Sequence, residues 1–110
     1  MKRLTLRPYP GEILLYDNFE AFQRKYKLAN NGHSHIKNKR GIWGTTVPLM
    51  RVGYAPTFLV YCQRGKPATL AHEFSHVILH VFEIVGIDPR TSEGEPFCYL
   101  LSSLLQEARK

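Results

Sequence analysis

A chain of 110 residues, 44% hydrophobic and 22% charged, has the size and composition of one soluble globular domain and is neither disordered nor fibrous. No apolar run approaches the roughly 20 residues that cross a bilayer, and the opening Met1-Lys2-Arg3-Leu4-Thr5-Leu6-Arg7 lacks the apolar stretch of a secretory leader, so a cytoplasmic protein is expected. The net charge of +6 is unevenly spread: residues 1–66 carry 12 Lys and Arg against 3 Asp and Glu, a net +9, and residues 67–110 carry 3 against 6, a net −3.

The two cysteines, Cys62 and Cys98, are too few for a disulfide scaffold and too far apart for a redox or zinc-ribbon motif, and they read as reduced thiols. The basic first part either meets an anionic partner or is a solvated face, and the acidic second part suits a bound cation.

Along the chain, Glu12-Ile13-Leu14-Leu15-Tyr16 is a short apolar run bounded by Pro10-Gly11 and Asp17-Asn18, which predicts a buried strand. Asp17 or Asn18 then caps a helix to about Lys27, with Phe19, Phe22 and Tyr26 at helical spacing. Residues 29–41 are polar and basic and read as a surface loop; its His33-Ser34-His35 is a weak metal candidate, because paired histidines among Asn and Gly are ordinary loop residues. Residues 42–47 and 57–63 have the β-branched and aromatic content of strands, and the Gly53 and Pro56 between them predict an antiparallel pair.

Pro67 suits the first turn of a helix that runs to about Val85 and stops at Gly86. At 100° per residue its core stripe is Leu70, Phe74, Val77, Ile78, Val81 and Val85. A last helix, roughly residues 96–108, buries Phe97, Leu100, Leu101, Leu104 and Leu105. The expected architecture is one α+β domain over residues 1–110: a small antiparallel sheet of about three strands packed on the 67–85 helix and a C-terminal helix.

The chemistry concentrates in His72-Glu73-Phe74-Ser75-His76. Histidines four residues apart stand one helical turn above each other, so two imidazoles can grip one ion. Glu73 points to one side, where it can reach a metal-bound water without ligating the metal. Two neutral ligands hold zinc, zinc lowers the pKa of its water to about 7, and the carboxylate takes the proton. The alternative is that these side chains simply populate the solvated face of an amphipathic helix.

A catalytic zinc takes a third protein ligand. His80 lies another turn on, but the drift of about 40° per four residues carries it some 80° from His72. Glu95, 19 residues after His76 and at the start of the last helix, is the better candidate, with Glu93 in reserve. Against it, Ser92-Glu93-Gly94-Glu95 has the form of a capping box and Pro96 marks a helix start with or without a metal. Tyr99, one turn beyond Glu95, is either a hydrogen-bond donor to a developing oxyanion or a core residue.

The run Thr69-Leu70-Ala71-His72-Glu73-Phe74-Ser75-His76 followed by Glu95-Pro96-Phe97-Cys98-Tyr99 resembles the compact gluzincin-type metallopeptidase domains, in particular the short ones of phages and other mobile elements. The resemblance covers residues 57–108 well and the first half only by order of elements. It implies a zincin-like fold, Zn2+ held by His72, His76 and Glu95, Glu73 as the base, a peptide or protein as substrate, and residues 57–63 as the strand bordering the cleft. The aspartate that thermolysin-like enzymes place four residues after the glutamate ligand is here Tyr99, which leaves the support of His72 open. Two rival functional readings stand beside it: nucleic-acid binding by the basic half, with Tyr9, Tyr16, Tyr26 and Trp43 in it and no recognised motif, and an inactive, zinc-stabilised protein that keeps the ligands and acts only through a partner.

Overall fold

The computed structural model describes residues 1–30 and 42–110. The expected 29–41 loop and its two histidines therefore fall almost wholly outside the described residues.

The strongest apolar runs form the centre of the sheet. β2 (Glu12–Tyr16) and β4 (Thr57–Cys62) lie side by side and parallel, with Ile13 opposite Phe58 and Leu15 opposite Val60. A strand covered on both faces must be apolar at successive positions, and Phe58, Leu59, Val60 and Tyr61 are all buried. Their side chains go alternately to two cores. Ile13, Phe58 and Val60 join one cluster, and Leu14, Tyr16, Leu59 and Tyr61 join the other.

The second cluster is closed by α1 (Phe19–Ala29), which contributes Phe19, Phe22 and Tyr26 at the predicted spacing. Asn18 caps it as expected, its side chain accepting from the Ala21 backbone N–H at 2.8 Å. The first cluster is closed by α2 (Pro67–Val85) and α3 (Glu95–Arg109), through Phe74, Val77, Ile78 and Val81 of the former and Leu100 and Leu104 of the latter.

The protein is therefore α+β, with a four-stranded mixed sheet in the order β1-β2-β4-β3. β3 (Gly44–Leu49) pairs antiparallel with β4, as the sequence predicts. Two features differ from expectation. The β2–β4 pair is parallel, with α1 and β3 lying between the two strands in the chain. The sheet also has a fourth strand, β1 (Lys2–Thr5), antiparallel to β2. Its pattern is that of an edge strand, with Leu4 and Leu6 buried on one face and Arg3, Thr5 and Arg7 exposed on the other. Lys2 also reaches the last turn of α3, its Nζ donating to the carbonyls of Glu107 and Ala108 at 3.2 Å each.

α2 begins at Pro67 and ends where Gly86 turns left-handed at φ 79°, its N–H returning to the Phe82 carbonyl. Its buried face is shifted from the predicted stripe: Phe82 is buried and Val85 is 38% exposed. The helix meets α3 as well as the sheet, and the Phe82 ring packs edge-on to Phe97 and Tyr9 at centroid distances of 6.3 and 5.3 Å. At α3 the capping box is not formed. Gly94 occupies the N-cap without a side-chain bond, and Ser92 and Glu93 are both left-handed, at φ 51° and 59°. Among the described residues no helix is long and apolar enough to cross a membrane.

Candidate functional site

The first two turns of α2 cross the start of the edge strand β3, and a glycine makes the crossing possible. A Cβ on Gly44 would stand 2.6 Å from Thr69 Cγ2, 3.0 Å from Glu73 Cγ and 3.2 Å from the Tyr61 carbonyl oxygen. A glycine heading a strand, followed by Thr45-Thr46-Val47, is the one sequence signal for such close approach. We expect Gly44→Ala to cost about 1–3 kcal/mol, because the added methyl forces helix and strand apart. Urea unfolding measures this, and a loss below about 0.5 kcal/mol would show that the contact is loose.

The approach brings Glu73 against β3. Glu73 is the one charged side chain buried among the described residues, at 7% exposure. Its Oε1 accepts a hydrogen bond from the Thr46 hydroxyl at 2.7 Å, which compensates part of the cost of removing a carboxylate from water. Thr46 was not legible as a partner from sequence, since the contact spans 27 positions. Glu73 also lines a shallow depression of about 380 Å3, together with Trp43, Gly44, Ala68, Thr69 and His72. At its rim the Lys66 ammonium lies 4.0 Å from the centre of the exposed Trp43 ring.

His72 and His76 converge one turn apart on the exposed side of α2, with Nε2 atoms 3.1 Å from each other and ring planes at 84°. Two nitrogens bound at about 2.0–2.1 Å to one tetrahedral ion lie about 3.3–3.4 Å apart, so the pair fits two positions of a zinc site. Without a metal the same contact serves as a hydrogen bond when one ring carries its proton on Nε2.

The other sequence candidates are placed elsewhere. His80 is exposed, with its ring 6.0 Å from that of Phe58. Glu95 is the first residue of α3 and is exposed. The Phe82–Phe97 contact sets α3 beside the end of α2, whereas His76 lies six residues before Phe82, about 9 Å back along the axis. Glu93 is exposed in the left-handed turn, and Tyr99 is 73% exposed, so it is not a core residue. Among the described residues no group of three or more His, Cys, Asp or Glu side chains stands close enough together to hold an ion. The structure thus assembles the histidine pair and leaves Glu95 apart from it.

The strand beside the depression is also not the expected one. Residues 57–62 form β4, bonded on both sides, and among the described residues β3 is the edge strand on this side. Runs of apolar residues mark a strand covered on both faces, which is an interior position and not a border.

Cys62 lies under the same crossing, buried, with its Sγ 3.6 Å from the Lys66 carbonyl oxygen. Burial, and secondarily the charge of Glu73, push its thiol pKa up, which keeps it protonated and unreactive. Cys98 is exposed on α3. Iodoacetamide is expected to modify one thiol of the native protein, Cys98, and the second only on unfolding; native labelling of Cys62 as fast as that of Cys98 would contradict the packing. No family model, curated protein or solved structure matches the chain.

Proposed function

We propose that this chain is a zinc-dependent metallopeptidase of the zincin type, with His72 and His76 as metal ligands and Glu73 as general base. The observation that carries the reading is the convergence of the two imidazole Nε2 atoms at 3.1 Å beside a depression lined by the buried carboxylate of Glu73. Buried carboxylates are rare unless the fold has a use for them, and this one faces an opening with one oxygen already held by Thr46.

Zinc supplies a Lewis acid and a bound water acidic enough to lose a proton near pH 7. The protein's own part is to hold that proton on Glu73 and to deliver it to the leaving amine. The hydrogen bond from Thr46 fixes the orientation of the carboxylate, leaving Oε2 for proton exchange. Glu95 as third ligand and Tyr99 as oxyanion donor rest on the likeness to gluzincins alone, since α3 starts beside the far end of α2, away from the histidine pair.

A library of internally quenched peptides, incubated with zinc-replete protein, tests the activity. Cleavage that stops with a chelator and returns with added zinc is the expected result. Failure of the zinc-replete protein to cleave any member of the library, or denatured casein, would overturn it.

A further inference from the structure

A second cavity, larger than the depression beside the histidines, lies elsewhere on the molecule. It has a volume of about 990 Å3 and opens at the other end of β3 and on the other face of the sheet, between the end of α1 and the segment that joins β3 to β4. Its walls combine apolar surface with unneutralised positive charge.

Leu28 is 82% exposed at its rim, and Met50 and Tyr54 are exposed beside it. Three cations line it. Arg3 is bonded to both carboxylate oxygens of Glu12 at 2.6 Å. Lys25 and Arg51 have no carboxylate partner among the described residues. The Arg51 guanidinium lies 4.7 Å from the centre of the Tyr54 ring, which holds it at the opening. Clustered apolar residues left exposed on a small domain mark a contact surface, and Met, Tyr and Arg are the residue types that protein interfaces collect.

The geometry points to a docking site for an extended segment of another protein, one that carries Asp or Glu together with apolar anchors. Charge decides the sign of the partner: an acidic side chain meets Lys25 and Arg51, which no carboxylate among the described residues neutralises, while its apolar neighbours cover Leu28 and Met50. A single nucleic-acid strand suits the cavity less well. It calls for a row of cations tracking phosphates and for open aromatic faces, whereas Arg3 is already paired and Arg51 lies over Tyr54. A bilayer calls for a convex apolar face, and this surface is concave. The site is independent of the metallopeptidase reading and stands whether or not the histidine pair binds zinc.

The test is fluorescence anisotropy with the whole chain and three labelled probes: a twelve-residue peptide of Glu, Asp, Leu and Phe, the same peptide with every acid replaced by Lys, and a twelve-nucleotide oligothymidylate. The acidic peptide is expected to bind at least about tenfold more tightly than the other two, more weakly as salt rises. Lys25→Glu with Arg51→Glu, and separately Leu28→Ser with Met50→Ser, each lower that affinity by about tenfold or more, while His76→Ala does not. All of these side chains except His76 lie at the cavity, exposed or half-exposed, so circular dichroism should show the variants folded. Mass spectrometry of the recovered probe ensures that cleavage is not read as lost binding. Equal affinity for the acidic peptide and its lysine analogue, tighter binding of the oligothymidylate, or unchanged affinity in the charge-reversed variant would each overturn the proposal.

Discussion

Exchanging Glu73 for glutamine is expected to lower peptide hydrolysis by about 10²–10⁴-fold while leaving the zinc content unchanged. The substitution keeps the shape of the side chain, and its amide oxygen can still accept from the Thr46 hydroxyl, so the crossing of α2 and β3 that Gly44 permits is preserved. What it removes is the ability to take a proton. Because Glu73 points towards β3 and the depression while His72 and His76 pair on the exposed side of α2, the proposed ligand pair is left intact. Retention of more than about a tenth of the wild-type rate would deny Glu73 the role of base. Loss of zinc together with activity would instead place it among the ligands.

The largest effect on stability is expected at Phe58. It lies on β4 with none of its surface exposed, on the sheet face covered by α2 and α3, in the cluster with Val77, Ile78 and Leu104. Truncation to alanine leaves a cavity bounded by a strand bonded on both sides and a helix packed across it, and neither can collapse into the space. The expected cost is about 3–5 kcal/mol, a large share of the roughly 5–15 kcal/mol that holds a small domain folded. Urea unfolding with an unchanged slope would report it as a lowered midpoint. Leu79→Ala, on the exposed side of α2, is the control and should stay within about 0.5 kcal/mol. A loss below about 1.5 kcal/mol at Phe58 would contradict the described core.

The parts of this protein legible in its sequence are those that physics decides locally. Asn18 capping α1, Pro67 opening α2 and Gly86 closing it need only a few neighbouring residues, and each stands where the pattern predicts. The histidine pair is local in the same sense, since any regular helix brings residues four apart together. The apolar runs of β2 and β4 mark buried strands but not their order, so the sequence does not reveal that β3, and not β4, borders the depression.

What escaped the sequence depends on how elements meet. β1 is four residues long, and its alternation is too short to stand out from the basic start of the chain. Phe82 is buried and Val85 exposed because α3 packs against one flank of α2, which no periodicity of α2 reveals. The third ligand is the same kind of problem. Nineteen residues of separation say nothing about level along the helix, and α2 runs nine residues past His76 before the chain turns back. Glu95 therefore starts α3 beside the far end of α2, and the Thr46 hydroxyl, far away in sequence, turned out to be the group that touches the catalytic candidate.

The metal itself gives the most direct test. Protein purified without chelators and analysed by inductively coupled plasma mass spectrometry is expected to carry close to one zinc per chain, and His76→Ala, which removes one of the paired imidazoles without touching the core, is expected to lose it. Wild-type protein that takes up no zinc even when the ion is supplied, or a His76→Ala variant that binds it as tightly as wild type, would contradict the account.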